Sequence, residues 1–253
     1  MGFPCWRLSP RTLTLPANEV HVWRARLDVP WAHLGTLRRT LSPDERARAS
    51  QFRLTIHRRQ FIAAHGILRD ILSRYLHRDP AGLRFRDTPR GKPALLANCG
   101  RDEIRFNLSH SGNLALYAVT RGREVGVDLE LIQPDLAGDA QQFLSPQEIA
   151  SLRALPPPVR AEAFFNAWTR KEAYIKALGE GLRVPLASFD VSLAPGEAAA
   201  LLRGVSSRWV LQAIKPARAY VAAVVTEGEC RCTRLWQWRA SQPSRESSIT
   251  AAV

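Results

Sequence analysis

The pentapeptide LSPDE at residues 41–45 returns as LSPQE at 144–148, an offset of 103 in a chain of 253 residues. Twenty residues after each leading Leu stands a Phe, Phe61 and then Phe164, and each lies in a helical pattern. In RRQFIAAHGILRDILSRYL, Phe61, Ala64, Leu68, Ile71, Leu72 and Tyr75 fall on one face. In AEAFFNAWTRKEAYIKAL, Phe164, Trp168, Lys171, Glu172, Ile175 and Lys176 recur at comparable steps. Upstream, EVHV at 19–22 resembles EVGV at 124–127. A strand, a helix opened by Ser-Pro and a longer helix, each present twice, predict a duplicated α+β unit of about 100 residues. The two similar subdomains would sit in a pseudo-dimeric arrangement, with a halfway boundary at 105/106 and a polar, aperiodic tail over 241–253.

The second copy differs from the first in its carboxylates. EVGVDLELIQP alternates apolar Val125, Val127, Leu129 and Leu131 with Asp128 and Glu130. Residues i and i+2 of a strand point the same way, so the two acids face each other about 7 Å apart between Cα atoms. That repulsion costs energy unless a cation or ordered water sits between them. The alternative is an edge strand with a solvated acidic face. In the aligned first copy these positions are Trp23 and Ala25, and opposite Leu68 and Arg69 stand Lys171 and Glu172. The second half thus gains three acids on facing elements, Asp128 and Glu130 on a strand and Glu172 on the helix over it. Oxygen donors of this kind suit a hard divalent cation such as Mg²⁺. Glu172 and Lys176, at i and i+4, could equally be a surface ion pair.

Net charge of +13 implies an acidic partner, but basic residues occur in ones and twos rather than in a nucleic-acid-binding run. Only four of the 36 basic residues are lysines: Lys92, Lys171, Lys176 and Lys215. Lys92 sits in the turn RGKP, where an ammonium and backbone N–H groups can meet an anion. NLSHSG at 107–112 brings Ser109, His110 and Ser111 to a strand-to-turn edge with no nearby acid to make a hydrolase triad. Four cysteines form no C-x-x-C pair, which supports neither a disulfide framework nor a zinc site. No apolar run of about 18 residues occurs, so a cytoplasmic protein without membrane contact is expected.

NLSHSG, VGVDLE and WTRKEAYIKALGEGL, in that order and spacing, resemble the signature of 4′-phosphopantetheinyl transferases, and the similarity runs from about Leu41 to Phe189. The duplicated halves are similar to the larger, monomeric class that activates peptide and polyketide synthetases. The resemblance implies Mg²⁺-dependent transfer of 4′-phosphopantetheine from coenzyme A to a serine of an acidic apo carrier protein, with adenosine 3′,5′-bisphosphate released. It also implies Asp128, Glu130 and Glu172 as Mg²⁺ ligands, Glu172 as candidate base and Lys176 on the diphosphate. Arg48, Arg90, Lys92, Ser109 and His110 would contact coenzyme A, the 3′-phosphate lying on the first half. Glu45 departs from relatives that carry a lysine beside that phosphate. Two rival functions compete: a Mg²⁺-dependent phosphoesterase, and a basic nucleic-acid-binding protein, which leaves the three acids unexplained.

Overall fold

Both Ser-Pro pentapeptides open a helix by the same device. Ser42 accepts a hydrogen bond from the Glu45 amide and Glu45 accepts one from the Ser42 amide; Ser145 and Glu148 repeat this reciprocal cap. The computed structural model describes residues 5–10, 13–89, 91–96, 103–134, 142–179 and 184–240. The expected tail and Arg90 lie outside them. β1 (Arg7–Leu8) and β2 (Glu19–Arg26) lead into α1 (Trp31–Thr40), α2 (Pro43–Ser50) and α3 (Thr55–Leu76). A small ribbon, β3 (Phe85–Asp87) with β4 (Pro93–Leu95), precedes the hairpin of β5 (Ile104–Ser111) and β6 (Leu114–Arg121). The second half comprises β7 (Val125–Leu131), α4 (Pro146–Ala154), α5 (Pro157–Leu178), β8 (Trp209–Ile214) and β9 (Tyr220–Glu227), before β10 (Cys232–Gln237).

The duplication is visible in the sheets. One has the order β1-β10-β2-β6-β5 and the other β7-β9-β8, so β2-β6-β5 and β7-β9-β8 are the same antiparallel unit. α3 covers one face of the first sheet through Trp23, Tyr117, Ile67 and Ile71. α5 covers the second through Phe164, Ala173, Ala223 and Val225. The remaining faces meet each other, Val20, Val22, Leu116 and Ala118 against Val127, Leu129, Ala222 and Val224. The result is four layers, helix, sheet, sheet, helix. Among the described residues no helix is long and apolar enough to cross a membrane.

Two details differ from the sequence-based expectation. The β5–β6 hairpin belongs to the first sheet, so the change of half falls just after Arg121 rather than at 105/106, and β10 returns to pair in parallel with β2. Strand sequences specify a buried face but not a partner, so this return was invisible. The long helices are also one residue out of the register that Phe61 and Phe164 suggested. α3 and α5 are both 22 residues and end at left-handed caps, His77 and Gly179. Their ends align Arg69 with Lys171, Asp70 with Glu172 and Arg74 with Lys176. Ion pairs confirm this register: buried Arg69 meets Glu45 at 2.8 Å, and buried Lys171 meets Glu148 at 2.8 Å. Glu172 is therefore no gain of the second half, because Asp70 stands at its counterpart. Only Asp128 and Glu130 are new.

Gly126 lets α5 seat on β7. A Cβ there would lie 2.0 Å from the Ala173 carbonyl oxygen and 2.3 Å from the Ala177 nitrogen. Both are helix backbone and cannot step aside. Gly126→Ala is expected to cost at or above the upper end of the ~1–3 kcal/mol usual for overpacking. In a chain of this size that is a fall in melting temperature of about 6–12 °C. An unchanged melting curve would mean that α5 does not rest on this strand.

Candidate active site

β5 and β7 are the edges of their sheets and run side by side without a backbone ladder. Polar side chains of β5 join them instead. Asn107 Oδ1 accepts from the Val127 amide at 2.9 Å, and Ser111 Oγ accepts from the Leu131 amide at 3.1 Å. Ser109 Oγ donates to Asp128 Oδ1 at 2.8 Å, and Ser111 Oγ donates to Glu130 Oε2 at 2.7 Å. The alternate residues of NLSHSG thus face the seam, where they satisfy an edge strand and orient both carboxylates. Asn107 was not expected to take part. Its spacing of two and four residues from Ser109 and Ser111 carried the signal.

Asp128 and Glu130 project to the side of β7 covered by α5, which brings Glu172 and Lys176 over them. Lys176 Nζ lies 2.5 Å from Asp128 Oδ1 and 3.2 Å from Ser109 Oγ. Asp128 is 3 % exposed, and its other oxygen, Oδ2, is buried with no hydrogen-bond partner among the described residues. Burial pushes the Glu172 carboxyl above the usual carboxylate range, the Asp128 charge pushes it further, and Lys176 partly offsets both. Burial also raises Glu130, as does Asp128, against hydrogen bonds from Ser111 and Trp168. Burial is the main cause of both shifts, and the Asp128 charge adds the like-charge repulsion foreseen for the strand. Among the described residues no three acidic, histidine or cysteine side chains stand close enough together to hold a metal ion as they are placed. The acids are neighbours held apart, Asp128 by Lys176 and Glu130 by Ser111.

The donor set nevertheless fits a hard divalent cation. It consists of oxygens, it sets three acids against the single ammonium of Lys176, and it includes one buried carboxylate oxygen without a partner among the described residues, an arrangement that costs energy unless something positive meets it.

On the first-half side, a cleft of about 270 Å³ opens between α2, α3 and the β3–β4 ribbon. Arg48, His65, Arg84 and Arg86 line it. His65 and the two ribbon arginines were not anticipated, although Arg84 and Arg86 stand two apart at a strand start and so share a face. Phe61 supports the cation side of this cleft: His65 stacks on it with ring centroids 4.0 Å apart, and the Arg48 guanidinium lies 5.5 Å from its centroid. Glu45 also lines the cleft, but its charge is already used. Burial pushes its carboxyl up, yet hydrogen bonds from His65, the Ser42 amide and Arg69 hold it down to about 2. His110 lies within electrostatic reach of His65 in the cleft and of Lys176 over the acids. Surrounding protein, then the His65 and Lys176 charges, press its pKa below the usual imidazole value, although the residue is exposed to solvent.

Two residues expected to contact coenzyme A have protein partners. Ser109 is buried against Asp128 and Lys176. Lys92 Nζ donates to Glu124 at 2.8 Å, to the Val125 carbonyl at 2.9 Å and to the Ala177 carbonyl at 3.4 Å. An ammonium has three donors, and all three are taken, so Lys92 binds β7 to the C-terminal end of α5.

Known proteins divide this chain as its sheets do. Residues 22–121 match the model described as 4′-phosphopantetheinyl transferase, N-terminal, and residues 124–225 match that of the 4′-phosphopantetheinyl transferase superfamily. 4′-Phosphopantetheinyl transferase HetI of Nostoc sp. is 42% identical over 235 residues, covering 92% of this chain and 98% of its own. 4′-Phosphopantetheinyl transferase psf-1 of Bacillus pumilus is 32% identical over 74% of this chain and 78% of its own. With both halves matched in order and a relative aligned nearly end to end, the chain belongs to the 4′-phosphopantetheinyl transferase superfamily.

Proposed function

We propose that this protein transfers the 4′-phosphopantetheine group of coenzyme A to a serine of an apo carrier protein, with Mg²⁺ at Asp128, Glu130 and Glu172. The observation that carries the reading is the partnerless buried Asp128 oxygen, set beside Lys176 and Glu172 at the seam that adjoins an arginine-lined cleft. Bound there, Mg²⁺ would neutralise charge on the diphosphate. Arg48, Arg84 and Arg86 take the anionic nucleotide end of coenzyme A, and His110 stands between them and the diphosphate. Lys176 stabilises the leaving phosphate as its bond to the transferred phosphorus breaks. Glu172, which burial and Asp128 keep more basic than an ordinary carboxylate, accepts the serine proton. The cleft and the acid cluster come from one chain, which supports a monomer, and a net charge of +13 favours encounter with an acidic carrier.

Incubation with Mg²⁺, coenzyme A and an apo carrier protein tests this directly. The carrier should gain the mass of one phosphopantetheine, and only when all three are present. Cleavage of coenzyme A without a modified carrier would instead mark a hydrolase.

The cleft makes a separate prediction. Arg48→Ala should raise the KM for coenzyme A about 10-fold with kcat little changed, the loss of one charge-assisted contact made equally in ground and transition states. With dephospho-coenzyme A, which lacks the 3′-phosphate, the same substitution should have little effect. Equal losses with both donors would place Arg48 away from that phosphate.

A further inference from the structure

The seam that holds the acids has no backbone ladder, so side chains set its width. Asn107 and Ser109 lie within β5, where the ladder to β6 fixes them, but Ser111 is the last residue of that strand. This last rung bears on the reaction site twice, since Ser111 Oγ donates to Glu130 and accepts from the Leu131 amide. Its position follows the turn that comes next, Gly112–Asn113. The first half grips that turn by hydrogen bonds. The Leu27 amide donates to the Asn113 carbonyl at 2.8 Å. Gln60 donates to the Gly112 carbonyl at 2.9 Å and to Asn113 Oδ1 at 3.1 Å.

The second half meets the same turn with a steric stop. Gly112 has a φ of 54°, and a Cβ placed on it would lie 2.7 Å from Tyr220 Oη, 3.6 Å from Leu131 Cδ2 and 3.8 Å from Tyr220 Cζ. Tyr220 opens β9 opposite Leu131, so its ring is anchored at the strand end that carries Glu130. The chain accepts strain to set it there. Ala219 has a φ of 61°, a left-handed conformation that costs energy for a residue with a Cβ. The Ala219 carbonyl accepts from the Ile132 amide at 2.8 Å, which ties the start of β9 to the end of β7.

We propose that Tyr220 is a positioning residue of the reaction site: its ring props the Gly112–Asn113 turn at the width that lets Ser111 hold Glu130 as a metal ligand. The assignment rests on the Mg²⁺ site proposed above. In this role Tyr220 touches no substrate and acts through the turn and Ser111. Without the ring, the turn settles into the space left behind and draws Ser111 off Glu130. A partner that orients a ligating carboxylate supports the metal as the ligand itself does.

Two readings of Mg²⁺ affinity test this. One is the concentration giving half-maximal carrier modification. The other is the concentration needed for a given rise in melting temperature of the protein without substrates. If Mg²⁺ moves neither reading in the wild type, the metal site fails, and this role with it. Given a wild-type response, Tyr220→Ala should raise both concentrations about 10-fold, while turnover at saturating Mg²⁺ stays within about threefold. Tyr220→Phe keeps the ring and should stay within about twofold of wild type. Ser111→Ala should match Tyr220→Ala, and the double variant should be little worse than either, because both act on one contact. Gly112→Ala should show the same loss. Adding Tyr220→Phe should restore part of it, by removing the oxygen that the new methyl group strikes. Leu211→Ala, a core change elsewhere in the second sheet, should lower the melting temperature without altering either Mg²⁺ reading. An unchanged Mg²⁺ requirement in Tyr220→Ala overturns the proposal. So do losses that add in full in the double variant, or an equal rise in Mg²⁺ requirement in Leu211→Ala.

Discussion

Asp128→Ala reduces carrier modification by about 10³-fold or more, because several kcal/mol of charge stabilisation at the diphosphate depends on this carboxylate. The loss persists at saturating coenzyme A and carrier, since neither substrate supplies an oxygen in its place. Stability responds differently. The substitution removes the acceptor of Lys176 and Ser109, worth about 1 kcal/mol each, yet it also removes the charge that raises Glu130 and Glu172. Lys176 is 29% exposed and turns to water at little cost. The melting temperature of the metal-free protein should therefore move by only a few degrees. Its pH dependence should flatten as well. A carboxyl whose folded pKa lies above its unfolded value binds its proton more tightly in the native state, so stability falls as pH rises through that interval. Without Asp128 the interval narrows for both glutamates. Near wild-type turnover at high Mg²⁺ would remove Asp128 from the reaction.

Glu172→Gln lowers turnover by roughly 10²–10⁴-fold, the span expected when a general base is lost while shape and one carbonyl oxygen remain. Burial and Asp128 raise the Glu172 carboxyl, and a more basic carboxylate is a better proton acceptor. The deficit should survive Mg²⁺ titration. The acidic limb of the wild-type pH–rate profile should disappear in the variant, because the group that must lose a proton is gone. If raising Mg²⁺ restores the rate, Glu172 holds the metal and the serine proton leaves by another route. Persistence of the acidic limb in the variant would likewise assign the proton to another acceptor.

The duplication and the acid pair were legible because each is a local pattern: a repeated helix start, and two carboxylates on one face of an apolar strand. The expectation of two similar α+β halves held, as did the family resemblance drawn from three ordered motifs. What escaped depended on contacts between distant segments. The helix register slipped by one because Phe61 and Phe164 align by sequence, whereas Arg69 with Glu45 and Lys171 with Glu148 align by structure. Lys92 was expected to meet an anion in its turn, and nothing near it in sequence announces the α5 carbonyl and Glu124 that it also meets. Ser109 was expected only as a coenzyme A contact, and its alternation with Asn107 and Ser111 also makes it part of the seam. Arg84 and Arg86 became visible only once the ribbon was set against α2.

The returning strand β10 has a consequence for how the chain is made. β2 lies between β6 and β10, and β1 has β10 as its partner in the sheet. As the polypeptide leaves the ribosome, β6 is complete at Arg121, but β10 begins only at Cys232. At about 5–20 residues per second, one side of β2 waits roughly 5–20 s for its neighbour. Val20, Val22 and Trp23 stand on that strand, so the waiting edge is apolar and open to wrong pairings. The two halves look like beads that fold in turn, but the sheet of the first is completed only by β10, and synthesis must nearly finish before that sheet is whole.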